Sequence, residues 1–318
     1  MFVGTTLDIV RELRLSGRNL SLFGGMSQPI SIELTVFCDE RKMVLTKSEE
    51  WWYICIIMIP SHSVNDVIST LRLSQEEHGY THEMSFADIK GSARRSPKTA
   101  VAREWLRLLK AGTGKTVYWK ILGIATHNLD FSSFGPGHDS KGKYANVYNR
   151  FFRAAFLYCT NTYFGNYERI IITDIFHDTE GNLQHHQYFN WHLPRVVQNK
   201  RIHFRNNRIR FIVSDHQKEK TYKPQSYLIQ LADILVGSVS QLLDESSGRS
   251  GKIELGDCMS EMLRTAPSSP WQAAKDGYSV SFFPKKRVSL KGLDQALRPS
   301  SDEFFARYPK VTDQGVLL

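Results

Sequence analysis

The sequence predicts an α/β fold, a mixed sheet flanked by helices, on two observations. Short runs rich in β-branched and aromatic residues, such as Leu34-Thr35-Val36-Phe37-Cys38 and Arg169-Ile170-Ile171-Ile172-Thr173, read as buried strands. Longer segments with apolar residues at helical spacing are interspersed with these runs along the chain.

In order, residues 1–30 read as an N-terminal extension, with Leu7, Val10 and Leu13 on one helical face before a Gly24-Gly25 link. Residues 32–38 and 51–59 read as strands joined through Glu40-Arg41-Lys42, which predicts an antiparallel hairpin. Residues 64–73 form a helix with Ser63 at its N-cap, and 97–109 another, built on Val101, Trp105, Leu108 and Leu109. Residues 117–126 return to strand character, and a Gly/Ser-rich loop over 132–142 leads into an aromatic helix over 144–163. Residues 169–173 and 209–213 are strands, and 227–243 is a long apolar helix. The stretch 31–243 therefore reads as the main domain. Residues 244–318 read as a polar linker and a C-terminal extension packing on that domain, with one further strand at 278–284.

Composition narrows the function classes. The chain has 318 residues, 41% hydrophobic and 23% charged, which excludes global disorder. Lys and Arg number 41 against 32 Asp and Glu, a formal charge of +9. That excess fits a polyanionic partner, nucleic acid above all. The four cysteines, Cys38, Cys55, Cys159 and Cys258, form no C-x-x-C pair, so neither a zinc site nor a disulfide framework is expected. Without a recognisable secretory signal, the expected location is the cytoplasm. The longest apolar run, residues 51–60, is about half a bilayer span, so no membrane association is expected.

Four acids sit where a carboxylate is costly without a partner. Asp39 follows the first strand, Asp174 follows 169–173, Glu83 lies in His82-Glu83-Met84-Ser85-Phe86, and Asp233 lies inside the apolar helix. Converging carboxylates that hold Mg²⁺ or Mn²⁺ would account for all four. Structural ion pairs or turn caps account for any one of them alone.

The order Asp39-Glu40, Glu83, Asp174, then Ser226-x₃-Gln230-x-Ala232-Asp233 on a helix resembles the domain-of-unknown-function 3800 family of bacteria and phages. Residues 278–285 resemble that family's closing strand, so the resemblance spans about residues 31–288. The chain departs from the family in carrying Arg41-Lys42 where Ser-Gly is usual, which bears on the turn after Asp39. The resemblance implies a ribonuclease H-like catalytic domain over 31–243. It implies a nuclease-like site with Asp39, Glu83, Asp174 and Asp233 as metal ligands and catalytic residues, and Glu40 as an additional ligand. The expected activity is phosphodiester hydrolysis of DNA or RNA, in phage defence or mobile elements. The alternatives are a non-catalytic nucleic-acid-binding scaffold with a degraded site, or a toxin or antiphage effector held inactive by a partner protein; a homodimer is a further option.

Arg94, Arg95 and Lys98, with Arg201, Arg205 and Arg208 from the basic stretch 195–210, are the expected phosphate contacts. A solvated charged face explains the latter stretch equally well. Gly112-Thr113-Gly114-Lys115-Thr116 looks like the end of a P-loop, but a helix precedes it and a strand follows, the reverse of the required order. His177, Asp178, His185, His186 and His192 read mainly as a polar hairpin, with His177 or Asp178 near the metals as base or supporting residue.

Overall fold

The computed structural model describes residues 30–46, 49–110, 116–126, 129, 131–134, 140–179, 183, 189–264 and 270–283. The Leu7–Leu13 helical pattern, all of the P-loop-like stretch 112–116 but Thr116, His185, His186 and everything after Phe283 lie outside the described residues. Among the described residues, seven strands form one mixed sheet: β1 (Ser31–Thr46), β2 (Glu49–Pro60), β3 (Tyr118–Ala125), β4 (Arg169–Asp178), β5 (Ile202–Phe204), β6 (Arg210–Ile212) and β7 (Tyr278–Phe283). β1, β2 and β3 make an antiparallel meander. β4 adds parallel to β1, β5 and β6 add parallel to β4, and β7 adds parallel to β3 at the other edge.

Helices cover both faces, as continuous apolar alternation in the central strands requires. On one face Phe37, Tyr53, Cys55 and Ile57 pack against α1 (Val64–Glu77), α2 (Pro97–Lys110), α5 (Lys223–Asp244) and α6 (Ser250–Arg264). On the other, Leu34, Val36, Ile54 and Ile56 pack against the aromatic helix α3 (Ser140–Tyr163), with α4 (Phe189–Val197) and α7 (Pro270–Asp276) beside it. The aromatic side chains of α3, among them Tyr148, Phe152 and Phe156, are core. α5 is long and apolar enough to cross a bilayer, but 89% of that window is buried in the protein, so its hydrophobicity serves the core.

Several element boundaries differ from expectation, each for a local reason. β1 does not end at Cys38: Glu40 and Arg41 stay in the ladder opposite Ile54 and Tyr53, and the register shifts only between Arg41 and Val44. Asp39-Glu40 is therefore strand rather than turn. β4 likewise continues past Thr173 to Asp178, because Ile175 and Phe176 keep burying apolar surface. Ser63 occupies the N-cap of α1, yet its side chain makes no capping hydrogen bond. The polar linker is short, since α6 already begins at Ser250.

One irregularity in β4 decides which side chains meet. Leu34 pairs with Ile172, but Thr35 pairs with Asp174, so Thr173 is an extra residue on β4. The bulge is held by hydroxyls. Thr173 Oγ1 donates to Leu34 O at 3.1 Å and lies 2.9 Å from both Thr35 Oγ1 and Ser61 Oγ. Because side chains alternate along a strand, the extra residue exchanges the two faces beyond it. Ile170 and Ile172 face α3, while Phe176, also even-numbered, faces α5.

Candidate metal centre

Cys38 pairs with His177 across β1 and β4, so the next residues, Asp39 and Asp178, lie level. Asp39 stands two residues beyond Phe37, and Asp178 two beyond Phe176, on the α5 face. Those two rings stack at 5.4 Å and form the apolar floor beneath the carboxylates. Asp39 is only 7% exposed. A third carboxylate, Asp233, descends from α5, and its charge is felt at both Asp39 and Asp178.

The helix motif that carries Asp233 has a mechanical role. Gln230 and Asp233 are three residues apart and share a helix face. Gln230 Oε1 accepts the Met84 N–H at 2.9 Å, and its amide nitrogen donates to Ser214 O at 2.6 Å. Asp233 Oδ2 accepts the Phe86 N–H at 2.8 Å, with Ser85 as a second donor. The pair clamps the loop before the short turn Phe86–Asp88 against α5. Gly237, one turn further, lies under Phe86, where a Cβ would stand 2.2 Å from the ring.

The electrostatics are those of like charges held together out of water. Burial raises the Asp39 carboxyl well above the ordinary range, and the charges of Asp233, Asp178 and Glu40 raise it further, against the Glu40 N–H at 2.8 Å. Asp178 is pushed up to about 6, again chiefly by burial, with Glu40 and Asp233 adding and His177 and the Thr179 N–H opposing. Asp233 is raised by burial and by Glu83, against the Phe86 N–H, Ser85 and Arg41. The donor set is all oxygen, which suits Mg²⁺ or Mn²⁺ better than zinc. A divalent cation would relieve this repulsion, so the residues fit such an ion chemically. Among the described residues, no three His, Cys, Asp or Glu side chains already stand as a group able to hold a metal. The acids are neighbours by charge, not a closed coordination shell.

No protein-family model matches this chain, and no curated protein or solved structure matches it.

The other acids are placed differently. Asp174 pairs with Thr35, four residues short of Asp39, or roughly 13 Å along the strand. Its Oδ1 accepts from Arg210 Nε and Asn206 Nδ2, both at 2.7 Å, so it is spent on β6 and the loop before it. Glu83 sits on the clamped loop and accepts from Ser214 Oγ at 2.7 Å. Glu40 points to the opposite face of the sheet. There its carboxylate lies 3.4 Å from His177 Nε2 and within 3.5 Å of the Tyr144 and Tyr148 hydroxyls. His177 is fully buried, not part of a polar hairpin, and its Nδ1 donates to Asp178 O at 2.8 Å. The structure thus brings Asp39 and Asp233 together, adds Asp178, and leaves Asp174 and the side chain of Glu40 elsewhere.

The basic residues also divide. Arg201 donates to Tyr167 O, Phe164 O, Thr160 O and Asn161 Oδ1, which makes it an internal brace instead of a phosphate contact. Arg205 pairs with Glu33 at 2.6 Å, and Lys98 with Asp88 at 3.1 Å. Arg94, Arg95 and Arg208 are exposed. Asp178 could have been chosen from sequence by continuing the apolar alternation past Asp174. Nothing local to the sequence announces the bulge at Thr173 that turns Asp178 toward Asp39.

Proposed function

We propose that this chain is a Mg²⁺- or Mn²⁺-dependent nuclease that hydrolyses phosphodiester bonds of DNA or RNA. One observation carries the reading: Asp39, Asp178 and Asp233, from two parallel strands and the helix packed on them, gather where burial raises all three carboxyls, Asp233 and Asp178 raise Asp39 further, and Asp233 also raises Asp178. Carboxylates with perturbed pKa values cluster at functional sites. The cluster lies at the carboxyl end of β4, level with the middle of β1, and strand carboxyl ends are where open α/β sheets bind their ligands. The antiparallel meander extended across β1 by parallel strands supports a ribonuclease H-like arrangement. The formal charge of +9 supports a nucleic-acid partner.

Asp39, Asp178 and Asp233 are the proposed metal ligands. When bound, the metal would supply an activated water and stabilise the charge developing on the phosphate. The chain's own groups do the rest. The Phe37–Phe176 floor keeps the carboxylates desolvated, and the Gln230–Asp233 clamp holds the loop that carries Glu83 beside them. Exposed Arg94, Arg95 and Arg208 would meet the backbone of a longer strand.

Calorimetric titration with Mn²⁺, run beside a cleavage assay on single- and double-stranded DNA and RNA, tests the assignment. Asp39→Asn and Asp178→Asn should lose Mn²⁺ binding and cleavage, whereas Asp174→Asn should keep both. Cleavage that persists in either of the first two variants overturns the assignment. A second reading, a non-catalytic nucleic-acid-binding scaffold, is favoured by Asp233 being engaged with the Phe86 N–H and Ser85. On that reading Asp233→Asn lowers the melting temperature and leaves nucleic-acid affinity unchanged.

A further inference from the structure

Beside the acids stands a pair of cations grouped around one ring. Phe86 lies against α5 over Gly237, where a Cβ would meet it at 2.2 Å. Arg41, two residues past Asp39 on the same face of β1, places its guanidinium carbon 4.8 Å from the Phe86 centroid. From another element, Lys252 places its ammonium 4.7 Å from the same centroid. A second close approach puts it there. Gly251 N donates to Lys90 O at 3.1 Å, and a Cβ on Gly251 would stand 2.2 Å from Gly91 O, so only glycine lets the first turn of α6 sit this low.

A single aromatic face attracts one cation, but two such cations repel each other across it. Lys252 has given up most of its solvent, and half-buried Arg41 part of it. Lys252 is 7% exposed, and Arg41 Nε is buried with no hydrogen-bond partner among the described residues. Desolvated cations need a nearby anion. The carboxylate whose charge acts on both is Asp233, with Asp244 also acting on Arg41, Asp88 on Lys252, and Arg249 adding to the positive side. Asp88 is itself paired with Lys98, and Asp233 already accepts the Phe86 N–H. A metal drawn to Asp233 would therefore take the charge on which Arg41 and Lys252 depend.

We propose that Arg41 and Lys252 form an oxyanion subsite that takes a backbone phosphate of the nucleic acid, so that metal and phosphate enter the site together. The proposal rests on the metal-site reading above and adds the group that receives the substrate. A phosphodiester carries one negative charge on two non-bridging oxygens, which suits a guanidinium and an ammonium converging from different elements.

The test is calorimetric titration of full-length protein with Mn²⁺, alone and with saturating single-stranded DNA or RNA dodecamer, with strand integrity checked afterwards. In wild type the dodecamer should tighten Mn²⁺ binding about tenfold, a typical coupling between sites. Lys252→Met and Arg41→Met should bind Mn²⁺ alone at least as tightly as wild type, since a competing positive charge is gone, and should lose the enhancement. Arg41→Lys should recover part of it. Thermal melting establishes that each variant is folded, and Lys252→Gln replaces Lys252→Met if the latter is not. Undiminished enhancement in both Met variants overturns the proposal. If wild type binds no Mn²⁺ at all, the metal-site reading falls by itself. The subsite is then judged by dodecamer affinity in EDTA: about tenfold weaker binding in Lys252→Met sustains it, and equal binding removes it.

Discussion

The two faces of the central sheet treat buried charge in opposite ways. On the α3 face, Lys120 is fully buried, but its ammonium donates to Ser281 Oγ at 2.7 Å and lies 3.8 Å from the Tyr158 ring centroid. Glu40 is met there by His177 and two tyrosine hydroxyls. On the α5 face, Asp39, Asp178 and Asp233 crowd together, eased by backbone N–H groups, by Ser85 and Arg41 at Asp233, and by the charge of His177 at Asp178. The first arrangement is what a core needs to tolerate charge. The second costs stability and becomes intelligible if an ion or substrate supplies the missing positive charge. Burial alone does not separate structural from functional ionisable residues; the sign of the neighbours does.

Removing a partner on the α3 face should have the largest effect. His177→Ala leaves the Glu40 carboxylate buried without its imidazole and should cost about 3–5 kcal/mol in urea denaturation. A loss below about 1 kcal/mol would show that Glu40 does not depend on His177.

Removing a charge on the α5 face should do the reverse. Asp178 has a folded-state pKa raised from 3.8 to about 6, so its contribution to stability is complete below pH 3.8 and lost as pH rises through about 6. Asp178→Asn should therefore be more stable than wild type at pH 7.5, by up to about 2 kcal/mol, with the gain vanishing near pH 4. Saturating Mn²⁺ should erase the same gain by stabilising wild type alone. An Asn variant less stable than wild type at pH 7.5 would remove the contrast between the faces.

Lys120 sharpens it. Burial lowers its pKa from 10.5 to about 8, so its contribution is complete above pH 10.5 and lost as pH falls through about 8. Lys120→Met should gain stability at pH 7, by only about 1 kcal/mol, because it also forfeits the Ser281 hydrogen bond and the Tyr158 contact. That gain should disappear above pH 10.5. Smallest of all, Thr173→Val removes the hydroxyl that ties the bulge to Leu34 O, Thr35 and Ser61, and should cost about 1 kcal/mol. It should also weaken Mn²⁺ binding if the bulge is what aims Asp178.

Much of the architecture was legible residue by residue. The alternation in residues 32–38, the apolar run 51–59 and the spacing of Val101, Trp105 and Leu108 placed β1, β2 and α2 to within a few residues at most ends. β6 lies at Arg210–Ile212, inside the expected strand 209–213, whereas β5 has no counterpart in the sequence reading, because a three-residue strand in an Arg- and Asn-rich stretch carries almost no periodicity of its own, and neither has the nine-residue α4. Of the site, Asp39 and Asp233 were visible as carboxylates amid apolar neighbours. Asp174 drew attention because it follows an isoleucine run, yet Arg210 and Asn206 claim it through contacts formed only when β6 docks.

What the sequence by itself determined is therefore the menu: an α/β sheet covered on both faces, a basic surface, and acids in places where water is scarce. Hydrophobic periodicity is local, and it carries that much. What only the tertiary structure decided is which acids meet. One extra residue at Thr173 exchanges the faces of β4 and so turns Asp178 toward Asp39, while Asp174 stays four residues back along the strand. Two glycines on different helices, Gly237 and Gly251, let Phe86, Arg41 and Lys252 close in beside them. Register, bulges and close approaches are relations between distant segments, and no local pattern of side chains encodes them.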